Sequence, residues 1–501
     1  MRTKRTIKNM LFNVFQQIVG IIVSFILPPM IISHFGSVIN GLVSTIKEIM
    51  RYAGLVGAGI AATSTYALYK PLANNDKKKV NGIYNATNKM FIKSGNIFTI
   101  IILLSSLIYP FIAEGEVNKI TVGLLVIVMG IAGLSEFYVI GKYQSLLNAE
   151  QKNYVVAIAQ TVGNIFNIIV AFILIKLNQN IVIVQLGASI IYVMRILIIT
   201  LYIKKHYKYL DNKVTPLESE IKQRKDAVIH EITALIVNAS SVVLISFFLG
   251  FKYASIYAIY LLVFSGLNTI CGIVSNAIYA SFGEVIAKKE MKVLNKAFNI
   301  YEWIYLFTIT IIYTVAFLLI MPFISVYTKN MTDINYYLPI LGALLSIVGL
   351  INNMKIPART LVVASGHFKE TRNRSIIEMT INIVGQVICI PIFGIYGAPI
   401  GCILSNLYRT VDFIIYANKE ILNIKNGRII KRIITNLTVS ILIVAVMIVL
   451  IPQRTDSYMN WILSALVVSL ITFIIQMVIN LITEKDMLKE TKKIIIGLIG
   501  G

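Results

Sequence analysis

The amino-acid sequence predicts an all-α polytopic membrane protein with about fourteen transmembrane helices, arranged as two six-helix bundles and a C-terminal helix pair. Three observations predict this class. The 501 residues are 57% hydrophobic, with a mean hydropathy of +0.78. Only 14% of them are charged, against roughly 25% in a soluble domain. Apolar runs of about 20 residues recur along the chain, and each can cross a hydrocarbon layer about 30 Å thick.

The number of basic residues alternates from one predicted loop to the next. The fourteen apolar runs begin near Leu11, Gly41, Ser94, Ile120, Tyr154, Ile181, Val228, Tyr253, Ile300, Tyr337, Ser375, Ala398, Ile433 and Trp461. One face then receives 35 of the 46 Lys and Arg residues, whereas the opposite loops receive Lys119, Lys176, Lys252, Lys329 and Arg454. The positive-inside rule therefore predicts that both termini are cytoplasmic. The net charge of +23 follows from this topology and does not indicate nucleic-acid binding.

An internal repeat predicts the domain organisation. A shift of 213 residues aligns Gly59–Val80 with Gly272–Val293 at six identical positions. Six spans in each copy give both copies the same orientation, as in carriers that work by alternating access. The longest polar interruption, Lys204–Asp226, separates the copies. The predicted domains are 1–210, a six-helix bundle; 211–227, a cytoplasmic linker; 228–418, a second six-helix bundle; and 419–501, a cytoplasmic loop, two extra transmembrane helices and a cytoplasmic tail.

Prolines within the predicted spans indicate bends or breaks in the helices. Pro28 and Pro29 lie in the first span, and Pro357, Pro391 and Pro399 lie in the second half of the chain. Each removes a hydrogen bond from a helix interior. The alternative is ordinary membrane packing, because proline and glycine are common in membrane helices.

Six basic residues fall inside predicted spans: Lys47, Arg51, Arg195, Lys355, Arg359 and Arg409. Burying one costs roughly 3 kcal/mol on insertion scales, so each needs a partner, a path to the interface or a function. Lys47 lies near a span end, where its side chain can reach the interface. Arg359 also lies near a span end, and either the interface or a function explains it. The other four are predicted to face a cavity, with interhelical pairing as the alternative.

Acidic residues inside the spans provide the candidate partners. Glu48 precedes Arg51 by three residues and Asp412 follows Arg409 by three, so each pair shares a helix face. The acids Glu136, Glu231, Glu302 and Glu378 lie near predicted cytoplasmic helix ends. They are expected to pair with the basic loops or to couple transport to a proton or sodium ion. The candidates for ion coupling or charge pairing are thus Glu48, Asp412, Glu231 and Glu378.

The charges that remain predict an anionic substrate. With the two local pairs subtracted, the deep interior is net positive, and Arg195 and Lys355 have no acidic partner on their own helices. Arginine and lysine recognise phosphate through charge-assisted hydrogen bonds. Phosphate on a lipid carrier is an anion found in membranes, so it is the expected ligand. The predicted substrate-binding residues are Arg51, Arg195, Lys355, Arg359 and Arg409.

Three stretches carry a resemblance to a known family. "HFGSVINGLVSTI", "YALYKPLANNDKKKVNGIYNA" and "SLLNAEQKNY" resemble bacterial polysaccharide flippases of the multidrug/oligosaccharidyl-lipid/polysaccharide superfamily. The resemblance implies two six-helix bundles around a cationic cavity in the bacterial cytoplasmic membrane. It also implies translocation of an undecaprenyl-diphosphate-linked oligosaccharide to the outer leaflet for capsule or exopolysaccharide synthesis. Fourteen spans differ from the twelve common in oligosaccharide flippases. They match the similar lipid II flippase, in which the extra pair contributes to a groove for the lipid tail.

The sequence thus predicts a flippase that is not an enzyme and carries no cofactor or metal. The expected partners are the lipid-linked oligosaccharide, membrane lipids, a proton or sodium ion, and the glycosyltransferases and polymerase of the same pathway. Two related alternatives are a cation-coupled multidrug exporter and a lipid II flippase. A membrane polymerase or ligase would need catalytic acids on the outer face, where only Glu114, Glu116, Asp333 and Asp456 lie, on short loops.

Overall fold

The computed structural model describes residues 2–113, 115, 117–221, 225–452, 454–485 and 487. Glu114, Glu116, Lys222, Arg224 and the tail from residue 488 lie outside them. The helices are α1 (Arg2–Ala53), α2 (Ile60–Ala73), α3 (Lys77–Ile112), α4 (Lys119–Ser135), α5 (Gly141–Ala149), α6 (Tyr154–Lys176), α7 (Ile181–Ala188), α8 (Ile190–His206), α9 (Lys225–Leu249), α10 (Phe251–Ala287), α11 (Met291–Tyr327), α12 (Pro339–Met354), α13 (Ile356–Ala364), α14 (Phe368–Phe393), α15 (Gly397–Tyr416), α16 (Gly427–Leu450) and α17 (Tyr458–Thr483). Short 3₁₀ segments cover Gly54–Gly57, Glu218–Glu220 and Gly394–Tyr396, and π-helical turns cover Glu136–Ile140 and Ala417–Leu422.

The prediction of an all-helical membrane protein is confirmed. In the described part of the chain, twelve helical segments are long and apolar enough to cross a membrane. Two of them, Lys8–Ala73 and Phe368–Leu422, each contain two of the predicted apolar runs, and the other ten contain one each. Both long segments are interrupted by a glycine with positive φ, Gly36 at 83° and Gly394 at 60°. A glycine adopts this conformation without the steric cost that a Cβ would add.

Only some of the prolines accompany a break in the helix, although the sequence predicts a bend or break at each of them. Helix α1 keeps helical dihedral angles through Pro28 and Pro29 and departs from them at Gly36 instead. Pro357 does accompany a break, because it occupies the first turn of α13, directly after Lys355 separates that helix from α12. A proline is tolerated in a first turn, where its missing N–H would have no intrahelical acceptor.

Contacts within the chain divide it into two compact units, Met1–Ala258 and Ile259–Gly501. In the first unit α1 packs against α6 and α9, and α3 packs against α2 and α4. Leu42, Ile46 and Leu125 are fully buried in its core. Helix α9, predicted to begin the second bundle, therefore packs with the first unit. The division into repeated six-helix bundles remains a prediction.

The predicted linker lies against the first unit. Asn85 of α3 donates hydrogen bonds to the Asp211 carbonyl over 3.0 Å and to the Val214 carbonyl over 2.7 Å. The Leu217 N–H donates to the Gly82 carbonyl over 2.9 Å. A Cβ on Gly82 would come within 2.6 Å of the Leu217 side chain. This segment is thus held along the start of α3 rather than extending freely.

In the second unit α11 packs against α12, α16 and α17, and α14 pairs with α15 along most of its length. Small residues allow this last pairing. Gly397 and Gly401 are four residues apart on α15, the spacing that lets membrane helices approach closely. A Cβ on Gly397 would lie 2.2 Å from the Cys389 carbonyl carbon, and one on Gly401 would lie 2.6 Å from the Gln386 nitrogen. The two backbones are therefore in direct contact.

Candidate functional site

Five charged residues of the second unit form one connected group, called here the Lys355 network: Lys355, Arg374, Glu378, Arg409 and Asp412. The break between α12 and α13 places Lys355, helix α14 carries Arg374 and Glu378, and α15 carries Arg409 and Asp412. The close packing of α14 on α15 brings the last four side chains together. Four of the five residues were candidates from the sequence.

Glu378 lies between two cations. Lys355 Nζ donates to Glu378 Oε1 over 2.7 Å and to Asn406 Oδ1 over 2.8 Å. Arg409 Nε lies 3.2 Å from Glu378 Oε2. That Nε atom is buried and makes no hydrogen bond among the described residues. One carboxylate thus connects two helical elements and leaves one donor of Arg409 unsatisfied.

Asp412 lies between the two arginines of the network. Its Oδ2 accepts from Arg409 Nη1 over 2.5 Å, and its Oδ1 accepts from Arg374 Nη1 over 2.5 Å. Arg409 Nη2 also donates to Ser375 Oγ over 2.8 Å. Three cations therefore meet two carboxylates, which leaves the network with a formal excess of one positive charge.

Aromatic rings cover the two arginines. The Arg409 guanidinium carbon lies 3.7 Å from the centre of the Phe413 ring, and the Arg374 carbon lies 4.8 Å from the centre of the Tyr416 ring. Cation–π contacts of this kind stabilise guanidinium groups where water is excluded. The Arg409 side chain is 1% exposed, whereas that of Arg374 is 37% exposed, so Arg374 forms the accessible edge of the network.

Arg359 lies outside the Lys355 network. It follows Lys355 by one helical turn on α13, its side chain is exposed, and it makes no ion pair with any described residue. Of the five cations predicted to bind substrate, only Lys355 and Arg409 are brought together by direct shared contacts.

In the first unit the predicted residues form separate pairs. Arg51 Nη1 lies 2.9 Å from Glu48 Oε2 on the same helix, and the Arg51 side chain is half exposed. Arg195 of α8 lies 3.4 Å from Glu136, which begins a π-helical turn after α4. Glu231 is exposed and has no ion pair among the described residues.

Arg195 and Lys355 have no acidic partner on their own helices, and each pairs with an acid on another helix, as the alternative of interhelical pairing allowed. Glu136 pairs with Arg195, and Glu378 pairs with Lys355, so neither acid is taken up by the basic loops. The partners are 59 and 23 residues away along the chain. Only helix packing brings them together, and the sequence contains no local sign of it.

Two parts of the charged interior were not predicted from the sequence. Arg374 was counted with a cytoplasmic loop, although it lies on α14 four residues before Glu378, a spacing that could have revealed it. Arg432 was also counted with a loop. It lies in α16 with 2% exposure, 3.1 Å from Glu302 and 2.7 Å from Glu484. With Arg428, these three residues form the Arg432 cluster.

The Arg432 cluster continues as a ladder of amides between α16 and α17. Asn480 donates to Asn436 over 3.1 Å and accepts from the Trp303 indole over 2.9 Å. Gln476 donates to Ser440 over 3.0 Å. The cluster has two cations and two carboxylates, so its charge is balanced. It joins the C-terminal helix pair to α11, which fits a structural role.

In the described part of the chain, no group of three or more His, Cys, Asp or Glu side chains is placed to hold a metal ion. No protein-family model and no protein of curated function matches the sequence. Solved structures do match.

An inward-facing multidrug resistance MATE transporter of the MOP superfamily matches with a TM-score of 0.63 and 15% identity, over 83% of this chain and 96% of that one. The lipid II flippase MurJ, in an inward closed conformation, matches with a TM-score of 0.67 and 16% identity, over 96% of this chain and 100% of that one. An outward-facing MATE transporter of the MOP superfamily matches with a TM-score of 0.52 and 16% identity, over 84% of this chain and 97% of that one. The chain has the fold of these solved structures. MOP denotes the multidrug/oligosaccharidyl-lipid/polysaccharide superfamily. At these identities the similarity concerns the fold, and the substrate must be argued from the residues.

Proposed function

We propose that this protein is a flippase that moves an undecaprenyl-diphosphate-linked oligosaccharide from the cytoplasmic to the outer leaflet by alternating access. The observation that carries the proposal is the Lys355 network. Three cations and two carboxylates are held together in the second unit, and all of them except the partly exposed Arg374 are at most 12% exposed. The network has one more cation than it has carboxylates, so a bound anion would complete its charge balance.

The donors of the network suit a diphosphate. A guanidinium presents a planar fork that matches two phosphate oxygens, and an ammonium adds a compact point charge. Arg409 supplies a buried Nε without a hydrogen bond among the described residues, and Lys355 supplies the ammonium. Arg374 at the accessible edge and the exposed Arg359 are available for first contact. These cations would bind the diphosphate, while the prenyl tail remains in the lipid.

The transport cycle alternates between two open states of the protein. The diphosphate and glycan enter from the cytoplasmic side, and the protein then opens outward to release them. The membrane potential or a cation gradient returns the carrier to its first state. Arg51 and Arg195 are proposed to contact the anion during passage, and Glu48 and Glu231 are the acids left for ion coupling.

A multidrug exporter is the main alternative, because MATE transporters share the fold with TM-scores up to 0.63. The net positive charge of the Lys355 network argues against an exporter of cationic drugs. A cationic drug would be repelled by a network that already has one positive charge in excess. A lipid II flippase is the second alternative, supported by the match to MurJ with a TM-score of 0.67. Its substrate is a lipid-linked anion by the same chemistry, so the glycan decides between it and the proposal.

The test is binding of an undecaprenyl-diphosphate oligosaccharide to the purified protein in detergent, with a cationic dye as the competing ligand class. Lys355→Ala and Arg195→Ala are compared with the wild type. Lys369→Ala is the matched control, since Lys369 is exposed on α14 of the same unit. Loss of a charged hydrogen bond of about 1.5–3 kcal/mol should weaken binding by roughly tenfold or more.

Saturable binding of the lipid that is weakened by Lys355→Ala and Arg195→Ala, but not by Lys369→Ala, supports the proposal. Binding of the dye in place of the lipid favours the exporter. Lipid binding that is unchanged in both folded variants removes the assignment of the diphosphate site. Replacing the oligosaccharide lipid by lipid II in the same assay then separates the two flippase functions.

A further inference from the structure

The two carboxylates of the Lys355 network are held differently. Asp412 follows Arg409 by three residues on α15, and both its oxygens accept arginine hydrogen bonds over 2.5 Å. Glu378 comes from α14 and contacts Lys355 at 2.7 Å and Arg409 at 3.2 Å. The second of these contacts lacks hydrogen-bond geometry, because Arg409 Nε has no hydrogen-bond partner among the described residues. Glu378 is therefore the less firmly bound of the two.

Glu378 also covers the cations that it contacts. Its side chain is 12% exposed, against 8% for Lys355 and 1% for Arg409. The Glu378 carboxylate therefore occupies the Lys355 ammonium and lies against Arg409 Nε, the two groups that a bound anion would need. A carboxylate and a phosphate compete for the same donors, since both present anionic oxygens that accept charge-assisted hydrogen bonds.

We propose that Glu378 is an internal counter-anion, which the phosphate of the substrate displaces from Lys355 and Arg409 during binding. This inference rests on the proposed function, which it deepens by naming a residue that limits affinity. Asp412 stays in place and keeps both arginines oriented. When the substrate leaves, the tethered Glu378 carboxylate returns to the two cations. It therefore lowers affinity and speeds release, because a bound phosphate must hold its place against a competitor on the same protein.

Two substitutions separate this role from a structural one. Glu378→Asp keeps the charge but is one methylene shorter, so it cannot contact both Lys355 and Arg409 without a shift of the backbone. Glu378→Gln removes the charge and both ionic contacts. Glu484→Gln is the matched control, because it removes a partly buried carboxylate from an arginine of the same unit at the Arg432 cluster.

The experiment measures affinity for undecaprenyl diphosphate in detergent, with inorganic pyrophosphate and undecaprenol as separate arms. Pyrophosphate tests the anion without the lipid, and undecaprenol tests the lipid without the anion. We expect Glu378→Asp to bind undecaprenyl diphosphate about tenfold more tightly than wild type, which corresponds to one lost charged contact. Glu378→Gln should bind at least as tightly as Glu378→Asp and release the ligand more slowly. Glu484→Gln should match wild type.

A measurement on the wild-type protein does not depend on the folding of a variant. Dicyclohexylcarbodiimide activates a membrane carboxylate, and attack by the Lys355 amine at 2.7 Å would form an amide with Glu378, releasing the urea. Mass spectrometry detects the cross-linked peptides. Saturating undecaprenyl diphosphate should suppress this cross-link, and undecaprenol should not.

The outcomes distinguish failure of the proposed function from failure of the role of Glu378. If wild type and all variants bind undecaprenyl diphosphate no better than undecaprenol, the proposed function fails and the inference fails with it. If wild type binds the diphosphate and Lys355→Ala weakens binding, but neither Glu378 variant binds more tightly, only the inference is overturned. A cross-link that persists at saturating ligand overturns it as well.

Discussion

The contact between α14 and α15 at Gly401 is the feature most open to a quantitative test. A Cβ at this position would lie 2.6 Å from the Gln386 nitrogen and 2.9 Å from the Gly385 carbonyl carbon, whereas ordinary contact begins at 3.4 Å. Both neighbouring atoms belong to the backbone, so no rotamer change relieves the clash. Gly401→Ala must therefore separate the two helices by about 0.8 Å at this point.

The cost follows from overpacking of a close contact, which is typically about 1–3 kcal/mol. For a unit of this size each kcal/mol lowers the midpoint of thermal unfolding by about 2–4 °C. The same shift reaches the Lys355 network, because α14 carries Glu378 and α15 carries Arg409. If α15 moves as a rigid rod, the contact of 3.2 Å between Arg409 and Glu378 lengthens to about 4 Å.

The assay is thermal unfolding of the purified protein in detergent, followed by binding of undecaprenyl diphosphate. Gly266→Ala is the control, since Gly266 lies inside α10 of the same unit and its Cβ would meet no atom within 4 Å. That substitution should be neutral or stabilise by up to roughly 1 kcal/mol through helix propensity. We expect Gly401→Ala to unfold at a lower temperature than Gly266→Ala and to change affinity for the diphosphate. Equal unfolding temperatures together with equal affinities would refute the argument that this backbone contact positions the network.

Three further outcomes are expected. Glu302→Ala should destabilise the protein by about 1.5–3 kcal/mol, because the buried Arg432 loses one of its two carboxylate partners and keeps only Glu484. Chemical unfolding in detergent measures the loss, and wild-type stability would contradict it. Gly82→Ala should loosen the linker segment, because the new Cβ would lie 2.6 Å from the Leu217 side chain. Hydrogen exchange at the Leu217 amide should become faster, and an unchanged exchange rate would contradict this. In a cysteine-free background, Asn330→Cys should react with an impermeant maleimide in intact cells and Leu217→Cys only after permeabilisation. The reverse pattern would invert the predicted topology.

Hydropathy was sufficient to establish the fold class of this protein. A membrane helix must satisfy its backbone hydrogen bonds internally and must be about 20 apolar residues long. Each span can therefore be predicted from a local stretch of sequence. All fourteen predicted runs lie in helical segments that can cross a membrane. The boundary between the two compact units cannot be predicted from a local stretch of sequence. Helix α9 belongs with the first unit because of its packing on α1, which no local pattern indicates.

Local spacing likewise revealed the charge pairs that lie on one helix. Arg51 pairs with Glu48 and Arg409 pairs with Asp412, each across three residues. Helix geometry alone places such residues side by side, so the sequence is enough to pair them.

Pairs between helices depended on the tertiary structure. Lys355 reaches Glu378 across 23 residues, and Arg432 reaches Glu302 across 130. Whether two such side chains meet depends on the distance and register between helices. Here contacts such as that of Gly401 of α15 with the backbone of α14 set both. A change of one residue in register turns a side chain by about 100° around the helix axis. The sequence therefore showed which charges enter the membrane, whereas helix packing decided which of them neutralise one another and left the Lys355 network with one positive charge in excess.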